Sequence, residues 1–180
     1  MNQFEIGILD FINERFSCAF LDKFMPFITR FADGGIFWII LAVIFILIPK
    51  TRKSGFSMGL ALLFGFLIGN IFLKNVVGRI RPYDVNTDFE LIVKPLSDFS
   101  FPSGHTLASF EGAVALFVRN KKLGIAALVL ATLIAFSRLY LYVHYPTDVL
   151  ASIILGTAIA ILSCVIVDKL YIKFESKLKK

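Results

Sequence analysis

Cysteine and histidine are nearly missing from this chain, with two of each in 180 residues. Cys18 and Cys164 fit no metal or redox spacing, and Cys164 sits inside an apolar run. The sequence therefore offers neither a zinc site nor a disulfide framework, and both cysteines read as small packing residues. Charge is also scarce. Only 18% of residues are charged against 57% hydrophobic, well above the roughly 45–50% apolar share of a soluble domain. That excludes an ordinary water-soluble domain. The net charge of +6 does not indicate nucleic-acid binding, because lysine and arginine in a membrane protein first report orientation. No basic stretch precedes a short apolar core at the N-terminus, so no cleavable signal peptide is expected. There is no internal repeat, no low-complexity segment and no second domain. Residues 1–180 read as one domain.

What is abundant is long apolar sequence, with 20 phenylalanines. Residues 36–49, 55–78, 103–118, 123–143 and 148–167 each approach the roughly 20 residues that cross a bilayer. Ahead of them, residues 1–31 form an amphipathic N-terminal segment. Phe4, Ile8, Phe11, Ile12 and Phe16 recur at helical spacing between Glu5, Asp10, Glu14 and Arg15, as in a helix lying in the interface. Residues 20–31 fit either a second interfacial helix or a weak first span. Asp33-Gly34-Gly35 is a turn signal. The fold class is all-α: a membrane bundle of five to six transmembrane helices. Between the second and third of the five runs, residues 83–101 read as a polar loop whose Phe89, Leu91, Ile92 and Val93 dip into the interface.

The basic residues are unevenly placed. Of the nineteen Lys and Arg, three lie at 50–53, three at 119–122 and five in the C-terminal tail at Lys169, Lys173, Lys177, Lys179 and Lys180. Alternating spans put these on one side, which the positive-inside rule makes cytoplasmic. Three polar islands then share the opposite, outer face: Lys74 to Pro82, Pro102 to His105, and Ser137 to Asp148.

Both histidines fall in these islands, beside Lys74, Arg79, Arg81 and Arg138. Charge-flanked titratable groups gathered at one place mark functional sites. His144 precedes Asp148 by four residues. A carboxylate there can fix the imidazole tautomer, leaving Nε2 free as nucleophile or base; Asp148 also suits the first turn of the helix that Pro146 opens. Ser103 is a good N-cap, Gly104 permits close approach to the backbone, and free N–H groups at a helix start bind phosphate. Lys74 and Arg81 are seven residues apart, hence on one helical face, and with Arg138 they suit a dianionic phosphoryl group. Arg79 lies off that face and reads as a headgroup or surface contact. Asn70 and Glu111, deeper in the spans, read as packed hydrogen-bonding partners. Tyr140, Tyr142 and Tyr145 read as an interfacial belt. A protein that only held or moved phospholipids would need the cations but not the two imidazoles.

The islands resemble the three signature motifs of the type 2 phosphatidic acid phosphatase superfamily, K-x6-R-P, P-S-G-H and S-R-x5-H-x3-D. Every position is matched, in order, by Lys74 to Arg81-Pro82, Pro102-Ser103-Gly104-His105, and Ser137-Arg138 to His144 to Asp148. The resemblance implies a membrane lipid phosphatase in which His144 is the nucleophile, forming a phosphohistidine, Asp148 orients it, and His105 protonates the leaving oxygen. Lys74, Arg81, Ser103, Gly104 and Arg138 would hold the phosphoryl oxygens. The family needs no metal or other cofactor. The partners implied are the bilayer and a lipid phosphate, with undecaprenyl diphosphate, phosphatidylglycerophosphate, phosphatidic acid and lipid A phosphates all open. The small, domain-poor chain most resembles bacterial enzymes that recycle undecaprenyl diphosphate outside the cytoplasmic membrane. The sequence does not set the oligomeric state.

Overall fold

The computed structural model describes residues 2–178, and among them there is no strand. Lys179 and Lys180 of the basic tail lie outside the described residues. Helix α1, Asn2–Phe16, buries Glu5, Leu9 and Ile12 along one stripe and turns Phe4, Phe11 and Phe16 outward. Its buried stripe rests on the last two helices of the bundle. Helix α2, Leu21–Thr29, leads through a 3-10 segment, Arg30–Gly35, into α3, Ile36–Leu47. Together Leu21–Leu47 form one apolar segment of 27 residues, long enough to cross a membrane. So residues 20–31 belong to the first long segment. The helix breaks where Asp33 is extended and Gly34 and Gly35 take φ of 58° and 68°, a conformation glycine adopts without steric cost.

Helix α4, Arg52–Gly65, continues through a π-helical stretch, Phe66–Leu73, into the short α5, Lys74–Val77. Gly78 (φ 57°) then stops it, its N–H donating to the Lys74 carbonyl, as in a left-handed C-cap. The helix thus ends within a residue of the expected 55–78 span, and Pro82 is not what stops it. Instead Pro82 starts the four-residue α6, Pro82–Val85, where a proline's missing N–H costs nothing. The remaining helices are α7 (Gly104–Arg119), α8 (Lys121–Tyr140) and α9 (Pro146–Leu178).

Helix α7 is the axis. At 16 residues it is short, roughly 24 Å, but Ser109 to Leu116 are buried without interruption. It packs on α4, α8, α9 and the 3-10 segment. With the four longer apolar segments it makes five helices side by side. Small residues allow the close approach, as membrane helices require. A methyl on Gly55 would lie 2.5 Å from the Ala42 carbonyl oxygen of the facing helix.

The two ends of the bundle differ. At one, Arg119 donates to Asp168 Oδ1 (2.8 Å) and to Ser57, while Lys53 lies over the Tyr171 ring. This end carries the 50–53 and 119–122 loops. At the other, the 86–103 loop folds back onto the protein. Phe89, Leu91, Val93 and Leu96 join a cluster with Leu9, Tyr83, Tyr140 and Tyr142, and Leu96 is pinned by two bonds to the Tyr83 hydroxyl. Phe89, Leu91 and Val93 thus cover protein and do not dip outward; Ile92 alone of the four is exposed. Cys164 is buried as expected, but Cys18 is exposed.

Candidate active site

The second end of the bundle holds a cavity of about 480 Å³ whose wall includes Lys74, Arg81, Gly104, His105 and His144. One residue or more from each of the three polar islands therefore meets at one space. Asp148, Ser103 and Arg138 are not on that wall; they are buried behind it.

His144 is placed by a tight turn after α8. The N–H of Leu141 donates to Ser137 O, that of Tyr142 to Leu139 O, and that of Val143 to Arg138 O. Tyr142 pays for this turn with φ of 60°, an uncommon state for a residue with a Cβ that persists only where the surroundings impose it. They do: the Tyr142 ring stacks on Phe89 at 4.0 Å, and its hydroxyl donates to Asp10 Oδ1 and accepts from Asn86. The imidazole that follows is fully buried. Its Nε2 stands 3.4 Å from Arg81 Nη1, and its Nδ1 faces Asp148 Oδ2 at 3.6 Å. That second distance is too long for a hydrogen bond, although such contacts commonly tighten once substrate is bound. Burial, with Arg81 and Arg138 adding to it and Asp148 opposing, pushes the His144 imidazole down to about 3. It is neutral at ordinary pH.

Asp148 is the most constrained group of the site. Oδ2 accepts from Ser100 Oγ (2.5 Å) and from the Tyr145 N–H (3.0 Å), and Oδ1 accepts from Arg79 Nη1 (2.6 Å). The capping role and the place beside His144 hold together.

Across the cavity, His105 in the first turn of α7 is joined to Asp33 Oδ1 at 2.8 Å through Nε2. Ser103 occupies the N-cap position but makes no side-chain cap; its hydroxyl pairs with the Thr106 hydroxyl at 3.0 Å. That leaves the first N–H groups of α7 free to face an anion at Gly104.

Lys74 and Arg81 do not share a helical face, because the helix ends between them at Val77. They converge through Asp98, which pairs with Lys74 and accepts from Arg81 Nη2 at 2.6 Å, while its carbonyl accepts from Arg81 Nε at 2.8 Å. Burial works against ionisation of Asp98, but the two cations outweigh it and hold the carboxyl at about 2. Arg138 is buried, with Nη1 donating to Thr29 Oγ1 at 2.6 Å and Nε left without a partner.

Two imidazoles, two cations and a helix start around one cavity, with Arg138 buried behind it, suit a tetrahedral anion, and they are the motif positions themselves. Residues 53–172 match the profile of the PAP2 superfamily. The chain belongs to that superfamily. Over 162 residues it is 32% identical to an undecaprenyl-diphosphatase of Sulfolobus acidocaldarius, covering 89% of this chain and 77% of the relative. It is 33% identical over 142 residues to the undecaprenyl-diphosphatase BcrC of Bacillus subtilis, covering 79% and 72%. The crystal structure of a transmembrane PAP2-type phosphatidylglycerolphosphate phosphatase from Bacillus subtilis superposes with a TM-score of 0.75 at 28% identity, over 93% of this chain and 86% of that one. This PAP2 protein is accordingly a multi-pass membrane phosphatase.

Several positions differ from what the sequence suggested. Arg79 is no headgroup contact; it is bound to Asp148 and Glu5. Tyr140, Tyr142 and Tyr145 are fully buried rather than a belt, because acidic partners on α1 and α2 draw in the first two hydroxyls and Arg79 covers the third ring. Asn70 and Glu111 are not satisfied partners: Asn70 Oδ1 and Glu111 Oε1 are buried without a hydrogen bond, and both residues line the cavity. Asp33 and Asp98 were not singled out as site residues. For Asp98 the signal was its place four residues before the Pro102 island, and for Asp33 only the turn it opens with Gly34 and Gly35.

Proposed function

We propose that this PAP2 phosphatase removes the terminal phosphate of a prenyl diphosphate lipid through a phosphohistidine on His144. The observation that carries the reading is the buried His144, which lines the same cavity as His105, Lys74 and Arg81 with its Nε2 3.4 Å from Arg81 Nη1. A neutral imidazole has the lone pair needed for attack. Attack breaks the bond between phosphorus and the bridging oxygen, and His105 gives that oxygen a proton. Water then attacks the phosphohistidine, losing its proton to His105, and releases inorganic phosphate. Asp148 stabilises the charge that His144 gains in the first step. Lys74, Arg81 and the Gly104 backbone hold the equatorial oxygens, where fixed donors count most as charge builds, and Arg138 adds positive charge from behind the wall. Ser103 sets the start of α7 that presents that backbone. No step calls for a metal or another cofactor.

The apolar side of the cavity, with Ile39, Leu62, Phe66 and Leu107, is a fitting place for the first carbons of a lipid chain. The names of the two relatives favour a prenyl diphosphate over phosphatidylglycerophosphate, phosphatidic acid or lipid A. The basic end of the bundle favours the cytoplasm for the C-terminus, which puts the cavity at the outer face of the cytoplasmic membrane. The test is phosphate release from each of these lipids in detergent with EDTA present, by wild type and His144→Ala. Release from undecaprenyl diphosphate that exceeds the others, and disappears in His144→Ala, is expected. Equal release from glycerolipids would overturn the substrate assignment, and activity in His144→Ala would overturn the nucleophile.

A further inference from the structure

We propose that Arg79, with Glu5 of α1, is a positioning residue that holds the Asp148 carboxylate toward His144. The inference rests on the functional reading just given and extends it to residues outside the three motifs.

The guanidinium of Arg79 is fixed on every side. Its plane lies over the Tyr145 ring with 3.8 Å to the centroid. Nη1 donates to Asp148 Oδ1 at 2.6 Å and to Thr147 Oγ1 at 2.7 Å. Nη2 donates to Glu5 Oε2 at 2.5 Å. Glu5 is itself nearly buried, and its Oε1 accepts from the Thr147 N–H (3.0 Å) and hydroxyl (2.6 Å). One cation thus clamps the first turn of α9 between two carboxylates. The local chain is built to deliver it. Gly78 in the left-handed conformation turns the backbone away from α5, and the Arg79 carbonyl accepts from Ser100 N–H at 2.7 Å. The same serine's hydroxyl is on Asp148 Oδ2, so two segments joined by that backbone bond fix both oxygens of Asp148.

The geometry gives this a chemical purpose. His144 Nδ1 has no hydrogen-bond partner, and its neighbour is Asp148 Oδ2 at 3.6 Å. A carboxylate anchored by one oxygen only would rotate about its last bond and lose that facing. Anchoring Oδ1 on Arg79 removes the rotation, so the imidazole meets an oriented acceptor when charge develops on it. Lysine would keep the charge but not the planar fork that spans two carboxylates at once. Glu5 holds the second arm of the fork. The outward phenylalanines of α1 place the same helix where a bilayer surface would be, so the docking of α1 and the aim of His144 share one ion pair.

The experiment uses the full chain in detergent micelles, with phosphate release from undecaprenyl diphosphate followed for wild type, Arg79→Gln, Arg79→Lys, Glu5→Gln, Asp148→Asn and Arg79→Gln/Asp148→Asn. Arg79→Gln is expected to lose about 100-fold in kcat, the scale on which a misplaced catalytic group is felt, with KM changed less than about threefold. Arg79→Lys recovers part of the loss, and Glu5→Gln lies between wild type and Arg79→Gln. In the Asp148→Asn background Arg79→Gln costs no further kcat, because groups acting as a unit are not additive. A merely structural arginine would instead cost the same factor in both backgrounds, and a headgroup contact would raise KM alone; either result, or an Arg79→Gln kcat within twofold of wild type, overturns the inference. If wild type releases no phosphate while every variant is equally silent, the functional reading falls and takes the inference with it.

Discussion

Asp98 and Arg81 form a fork in which Oδ1 accepts from Nη2 at 2.6 Å and the Asp98 carbonyl accepts from Nε at 2.8 Å. The second carboxylate oxygen pairs with Lys74. An acid half-exposed at the cavity therefore occupies the cations to which the motif resemblance assigns the phosphoryl oxygens. Asp98→Asn removes the competing anion and leaves both cations for phosphate. Inorganic phosphate is expected to inhibit this variant roughly tenfold more strongly than wild type, about 1.4 kcal/mol. The check is the inhibition constant for phosphate in the release assay. Weaker inhibition would mean that Asp98 organises the cations rather than competing for them.

The pH behaviour follows from His144. An ordinary imidazole titrates at 6.5, whereas burial takes this one to about 3. Nitrogen-15 spectra of the His144 ring in the free enzyme should show it neutral from pH 7 down to pH 5; a midpoint near 6.5 would contradict the burial. The stability sign is fixed by the same shift. Below 6.5 the unfolded chain takes up a proton that the folded chain refuses, so His144 makes the fold progressively less stable as pH falls from 6.5 toward about 3.

His105 and Asp33 give a third prediction. With Asp33 Oδ1 fixing His105 through Nε2 at 2.8 Å, the ring's Nδ1 is left to protonate the leaving oxygen, and Asp33→Asn lowers kcat by about 10–100-fold on a lipid substrate. On an aryl phosphate, whose leaving group needs no proton, the loss should be small. Comparable losses on both substrates would place Asp33 outside proton transfer.

How far the sequence could be read shows in these residues. Each motif packs its partners within a few positions, as with His144 and Asp148, so the site's centre was legible. The acids that complete it come from far along the chain: Asp33 to His105 spans 72 positions, and Glu5 to Arg79 spans 74. No local spacing encodes those pairs. The tyrosines show the same limit in reverse. Aromatic residues beside a span end look alike whether they meet lipid or protein, and only the hydroxyl bonds to Asp22 and Asp10 decide it. Spans were located well because hydrophobic length is a one-dimensional property. The 55–78 span closes within a residue of its expected end, at the left-handed Gly78, whereas the one expected to reach residue 143 stops at Tyr140, because a turn strained at Tyr142, not composition, ends that helix.

Two glycines test the packing. At Gly55 an added methyl would meet backbone atoms of α3 at 2.5 Å, so Gly55→Ala should destabilise by about 1–3 kcal/mol. Gly7, exposed within α1, has nothing within 4 Å, and Gly7→Ala should stabilise by up to about 1 kcal/mol. Thermal unfolding of both variants in detergent provides the comparison. Equal effects would contradict the close approach of α3 and α4.

Covalent chemistry at His144 is open to rapid acid-free quenching of the enzyme with lipid labelled in the terminal phosphate. The label is expected on the protein, stable to base and lost in acid, mapped to His144, and accumulating in a slow-hydrolysis variant. Phosphate released at the full wild-type rate, with no label ever on His144, would contradict it.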